Sequence, residues 1–331
     1  LTLAGISHFV AILLCWTELT VLSNANHCPV AQALLPCTCD HEAINCMNAR
    51  STQELITAFR APGNKEHKSL WIQKTSIESF PAGVLGGFKF NNLHVEMNSN
   101  LTMFDLNSLR NTKEFLVVLS LFGNALSSFD FRRVINFPKL LTLNLGKNRL
   151  RTIPARAFGH PTLERLVLTE NPIDSVGPHA FALLPRLNVL QMSGTRLTTL
   201  GGFSMSILSR HPELVINLEN SGISSISNLA FDGTTPLALQ LSRNNLTSLP
   251  ESVFRPLLSA MFRRARQHGQ LPTLLLGRNP LSCLGCSYRW LVPLRTSPQL
   301  NSVLSDFACS DGTPFDRLTY NRIRCNPYGP F

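Results

Sequence analysis

Beyond residue 25 this sequence has no run long and apolar enough to cross a bilayer, so a chain without a membrane span is expected. It also lacks the short signatures of common catalysis. No His-Glu-x-x-His pair occurs among its nine histidines, no serine sits in Gly-x-Ser-x-Gly, and no glycine-rich loop ends in lysine. Zinc-peptidase, α/β-hydrolase and P-loop chemistry are thus without their usual residues, and Gly201-Gly202 reads as a turn. Charge is sparse, at 15% of residues, and leans basic, with 30 Lys and Arg against 20 Asp and Glu for a net +10. Only Arg263, Arg264 and Arg266 cluster, so the remaining basic residues read as solvated surface rather than a nucleic-acid footprint.

Cysteine is absent from the long middle stretch between Cys46 and Cys283. Of the nine cysteines, Cys15 falls in an apolar segment, Phe9 to Trp16, that is followed by the small-x-small sequence Ser23-Asn24-Ala25. Residues 1–25 are therefore expected to be a removed secretory signal, with a few residues missing before it because neither Met nor a basic residue precedes the apolar core. The other eight cysteines form two tight groups: Cys28, Cys37, Cys39 and Cys46, then Cys283, Cys286, Cys309 and Cys325. An even count in a secreted chain implies disulfides, two per group, and each group alone permits three connectivities. Cys283-Leu-Gly-Cys286 has the spacing of a zinc or redox pair, but Cys309 and Cys325 stand singly where a zinc site needs paired ligands. No metal and no cofactor is expected.

What the sequence has in abundance is one phrase, LxxLxLxxNxL. It reads Leu116-Leu119-Leu121-Asn124-Leu126, then Leu140-Leu143-Leu145-Asn148-Leu150, then Leu163-Leu166-Leu168-Asn171-Ile173. It continues as Leu187-Leu190-Met192-Thr195-Leu197, Leu239-Leu241-Asn244-Leu246 and Leu274-Leu276-Asn279-Leu281, with weaker copies around Leu70, Leu93 and Ile216. From Asn124 the steps are 24, 23, 24, 26 and 23 residues, then one of 35 to Asn279. A fixed period of this length marks a stacked repeat. Each copy supplies one short strand whose alternate leucines point inward, while the asparagine turns in to satisfy backbone groups at the bend. One copy cannot bury its leucines on both sides, and stacked neighbours can. A second apolar layer follows, with Phe158, Phe181, Phe231 and Phe254 each ten residues after the Asn position. The two cysteine groups lie where the ends of such a stack would otherwise be open.

These motifs resemble extracellular leucine-rich repeat proteins with cysteine-rich caps. CPVAQALLPCTCDHEAINC is similar to the N-terminal flank and NPLSCLGCSYRWL with FACSDGTPFDRLTYNRIRC to the C-terminal one. The combination of PCTCD, ESVFRPLL, NPLSC and CSDGTP resembles, more narrowly, the arthropod family typified by the non-catalytic subunit of oplophorus-luciferin 2-monooxygenase, from deep-sea shrimp. The resemblance implies an α/β repeat fold, a leucine-rich repeat solenoid (horseshoe) with parallel strands on the concave face and disulfide-bonded caps. It divides the chain into a signal at 1–25, an N-terminal cap at 26–66, about nine repeats over 67–280 and a C-terminal cap at 281–331. It pairs the cysteines of each cap first with third and second with fourth, as Cys28–Cys39, Cys37–Cys46, Cys283–Cys309 and Cys286–Cys325. Two departures stand out. Two residues separate Cys283 from Cys286 where one is usual, and MFRRARQHGQ (261–270) stretches the last full repeat, with a basic loop on the convex or edge side expected there.

On such a stack a ligand meets the outward strand positions. Between the strand leucines these are Trp71, His94, Ser120, Asn144, Val167, Gln191, Asn217, Gln240 and Leu275. The face is mixed and mostly neutral, with no paired carboxylates, and suits a protein partner more than a small charged substrate. Trp71, His94 and Phe122 form its aromatic end, where an interface anchor is expected, and Asn144, Gln191 and Gln240 its polar ladder. Nine strands would make a face on the order of 40 Å long, enough for an interface of standard size. Asn100 and Asn245 open Asn-Leu-Thr sequons, expected to be glycosylated on secretion. The expectation is a secreted, non-catalytic protein, not an enzyme, that binds and stabilises a secreted protein partner through its concave face. Under the resemblance that partner would be the catalytic subunit of a luciferase-like complex. The competing reading is a soluble extracellular pattern-recognition or adhesion protein, with glycan as its ligand; nucleic acid is not expected to be a partner.

Overall fold

A computed structural model describes residues 27–326, so the signal read over 1–25 lies outside the described residues. These residues form two compact units that divide at Val118 and Leu119.

In the first unit a tight antiparallel hairpin, Thr38–Cys39 with Ala43–Asn45, starts the sheet. Asp40 closes its turn by accepting from the backbone N–H groups of Glu42 and Ala43, both at 2.8 Å. Ala43–Asn45 then pairs in parallel with Glu66–Gln73, and that strand with Lys89–Glu96. Leu70, Ile72, Leu93 and Val95 alternate inward and are fully buried, while Trp71, Gln73, His94 and Glu96 alternate outward. Phe59, Phe88 and Phe90 pack edge-on and stacked behind the sheet, with buried His67 lying over the last two. Cys28–Cys39 and Cys37–Cys46 fasten the start of the unit.

In the second unit six three-residue strands stack in parallel without slippage, Leu143 beside Leu166, Leu190, Ile216, Leu239 and Leu274 in turn. All six are at most 1% exposed, and a fully buried Leu or Ile contributes about 1.5–3 kcal/mol of transfer free energy. The strand Val118–Ser120 spans the division between the units. Behind the strands Phe131, Phe158 and Phe181 form a contiguous aromatic row, with centroids 5.2 and 5.7 Å apart.

The asparagines tie each turn to the one before. Asn148 Nδ2 donates to Leu121 O (2.8 Å) in the preceding turn and to Leu145 O (3.0 Å) in its own, and its Oδ1 accepts from Leu126 N. Asn171, Asn244 and Asn279 repeat the pattern. Where the sequence has Thr195 and Ser221 instead, the two hydroxyls bond each other at 2.9 Å and Ser221 reaches Met192 O at 3.3 Å. The residue just before the rung is left-handed throughout, including Lys147, Glu170, Asn220, Arg243 and Arg278. That conformation costs an L-residue about 1–2 kcal/mol, and the side-chain bonds of the following residue offset it.

The stretched repeat is a correction to the expected basic loop. Residues 251–267 form one 17-residue α-helix, Glu251–Gln267. Val253, Phe254, Leu257, Leu258, Met261 and Ala265 recur at helical spacing and are buried. Glu251 in the first turn and Arg264 and Arg266 in the last suit the helix dipole, and Glu251 pairs with Arg255 at 2.7 Å. The basic residues Arg263, Arg264 and Arg266 surround Ala265 and mask the last step of the apolar period.

The C-terminal cap of the second unit seals the last turns with side chains. Asp306 accepts from Leu276 N (2.8 Å), Gly277 N (2.7 Å) and Ser242 Oγ (3.1 Å). Trp290 Nε1 donates to Leu249 O at 2.9 Å and Tyr288 Oη to Thr247 O at 3.0 Å. Cys283–Cys309 and Cys286–Cys325 hold this cap closed.

Candidate partner-binding face

The strand register decides which outward residues meet. Because Trp71 stands opposite His94 on neighbouring parallel strands, their rings stack with centroids 3.8 Å apart and planes within 5°. Two residues along, Glu96 fixes the pair: its carboxylate takes His94 Nδ1 at 3.2 Å and Gln73 Nε2 at 2.7 Å. The His94 and Glu96 side chains keep 18% and 17% exposure. The result is a flat aromatic surface held on rigid strands, with a carboxylate and an amide at its edge and a low entropy cost of ordering on contact.

Phe122 belongs to the second unit, where it borders Gly146 together with Asn144 and Thr169. A methyl group at Gly146 would lie 3.0–3.2 Å from Thr169 Oγ1, Phe122 Cδ2 and Asn144 Oδ1. Asn144 is partly committed to its own bend, since its Oδ1 accepts from Gly146 N at 3.0 Å. Gln191 and Gln240 are half-buried on strands separated by Val215–Asn217, so neither lies beside the other. Ser120, between inward Leu119 and Leu121, is 4% exposed with its hydroxyl unpaired, so it offers a partner little surface. The cluster around Glu96 was not legible as a unit: Gln73 and Glu96 are distant in sequence, and only the register sets them together.

Both sequon asparagines are exposed, Asn245 standing next to buried Asn244. Among the described residues no group of three or more His, Cys, Asp or Glu is arranged to hold a metal ion, and no helix is long and apolar enough to cross a membrane.

Parallel strands with an inward Leu pattern, an asparagine rung in most turns and disulfides at the beginning of one unit and the end of the other define a leucine-rich repeat protein with cysteine caps. The chain is 28% identical over 313 residues to the oplophorus-luciferin 2-monooxygenase non-catalytic subunit of Oplophorus gracilirostris, covering 85% of this chain and 82% of that protein. A chain in the solved octameric complex of Latrophilin 3 (Lec, Olf), Unc5D (Ig, Ig2, TSP1) and FLRT2 (LRR) shares the fold, with a TM-score of 0.58 and 19% identity over 90% of this chain and all of that one. No family model matches the sequence.

Proposed function

We propose that this is a secreted, non-catalytic binding subunit that holds and stabilises a protein partner through its strand face, with the stacked Trp71–His94 pair as the anchor. The observation that carries the reading is that stack, braced by Glu96 and Gln73 and partly open to solvent. Rigid aromatic surface of this kind is what interface hot spots are made of. Four disulfides support an oxidising, extracellular compartment. The similarity to a subunit described as non-catalytic supports a role without turnover and makes the catalytic subunit of a luciferase-like complex the partner to try first.

The test is size-exclusion chromatography with light scattering of the native protein from its source, with mass spectrometry of co-eluting chains and light emission on adding a luciferin. A stoichiometric secreted partner, bound about 30-fold or more weakly by Trp71→Ala, is expected, the size of an interface hot spot. A lone chain, or a complex indifferent to Trp71→Ala and His94→Ala, would overturn the anchor and favour recognition of glycan or microbial surfaces instead.

A further inference from the structure

The helix Glu251–Gln267 runs beside the C-terminal cap and leaves a groove of about 650 Å³ between itself and the cap segment 290–300. Arg255, Ser259, Phe262 and Arg266 follow one another at helical spacing along one wall, with Arg263 at its edge. Trp290, Leu294 and Leu300 make the opposite wall. The volume is in the range of sites for whole small molecules. From Arg255 to Arg266 the helix rises about 16 Å, the room a medium-length acyl chain needs.

The groove is apolar within. Leu258, Trp290 and Leu300 are buried there, whereas Phe262 is only half-buried and Leu294 keeps 37% exposure. An apolar chain laid between these last two would take both out of water. The charge at the rim has one sign: three arginines line the groove, and no Asp or Glu among the described residues does. Arg255 is already committed, pairing with Glu251 at 2.7 Å and lying 5.6 Å from the centroid of the Trp290 ring. Arg263 and Arg266 are exposed and form no ion pair among the described residues. The C-terminus of the helix brings roughly half a negative charge nearby, which two full cations exceed. Ser297 has its oxygen engaged, accepting from Leu300 N at 3.3 Å.

A bare inorganic anion would meet the arginines and leave the apolar walls wet. A neutral apolar molecule would cover the walls and leave two cations unpaired at its end. An apolar chain that ends in a carboxylate does both, because a planar carboxylate takes two guanidinium N–H groups side by side. We propose that this groove binds an amphipathic carboxylate of the fatty-acid type, its head at Arg266 and Arg263 and its tail against Phe262, Trp290 and Leu294. None of these residues belongs to the strand face, so this proposal and the partner reading above fail separately.

The test is isothermal titration of the full, disulfide-intact chain with decanoate, octanoate, acetate, decanol and decyltrimethylammonium. Decanoate is expected to bind at one site, on the order of tenfold more tightly than octanoate for two further buried methylenes, and acetate and the cationic amphiphile not at all. The double variant Arg263→Gln, Arg266→Gln changes two exposed side chains and is expected to weaken decanoate about tenfold or more as charge-assisted bonds are lost, while leaving decanol unchanged. Leu294→Ser, also at the surface, is expected to weaken decanoate and decanol alike. No binding of decanoate up to about 1 mM, the range of a weak site, would overturn the proposal. So would decanol or the cationic amphiphile binding as tightly as decanoate, acetate binding as tightly as decanoate, or a decanoate affinity indifferent to the double variant.

Discussion

The two cysteine-rich caps solve the same problem by different means. At the start of the first unit the sheet is ended by more sheet: Ala43–Asn45 pairs with Glu66–Gln73, and Thr38–Cys39 folds back antiparallel on it. At the end of the second unit no strand follows Thr273–Leu275 among the described residues, and Asp306, Trp290 and Tyr288 satisfy backbone groups from the side. Backbone pairing spreads the work over many residues and tolerates substitution. A side-chain seal concentrates it in a few, so the C-terminal cap should be the more fragile to point mutation.

The largest expected difference lies in the disulfides. Cys286–Cys325 closes a separation of 39 residues and Cys37–Cys46 one of 9. Chain entropy makes removal of the first, as the double serine variant, cost about 4 kcal/mol against about 2.5 kcal/mol for the second. Urea unfolding of the two variants checks this, and equal losses would break the comparison.

Next comes Asp306→Ala, expected to cost about 3 kcal/mol because two backbone donors lose a carboxylate acceptor. Asp40→Ala, in the exposed hairpin turn, should cost clearly less. The reverse order in thermal unfolding would show that the N-terminal turn, not the C-terminal side-chain seal, is the weak point.

The third difference is in pH. Burial pushes the Tyr288 hydroxyl up from 10.0 to about 12. The native state therefore holds its proton where the unfolded chain has lost it, and stability falls as pH rises from about 10 to about 12. Tyr288→Phe should abolish that slope. His160, in the repeats of the second unit, responds to acid. Burial holds its pKa below 6.5, and its ring is committed as the neutral form, Nε2–H donating to Phe137 O while Nδ1 accepts from Leu163 N. Stability should fall as pH drops through 6.5 and below, and His160→Gln should flatten the acid limb of the denaturation midpoint plotted against pH.

The smallest effect separates rung from bend. Lys147 and Arg278 occupy left-handed positions, so Lys147→Gly and Arg278→Gly should each raise stability by no more than about 1 kcal/mol. A loss instead would mean that these side chains contribute more by packing than they cost by conformation.

The period of leucine and asparagine in the sequence determined the strands, which residues face inward and where the stack is capped, because burying one face of a short strand admits a single alternation. The left-handed bend is marked by glycine only at Gly123 and Gly194; elsewhere Lys147, Glu170, Arg243 and Arg278 stand where glycine would have announced it, and the following rung makes them tolerable. The helix over 251–267 had a legible apolar period, but the basic run at its end concealed it. The Trp71–His94–Glu96–Gln73 cluster and the seal made by Asp306 were decided only by tertiary structure. Each brings together residues from different strands, or from a strand end and the distant cap, and a period along the chain specifies what faces inward without specifying which neighbours meet.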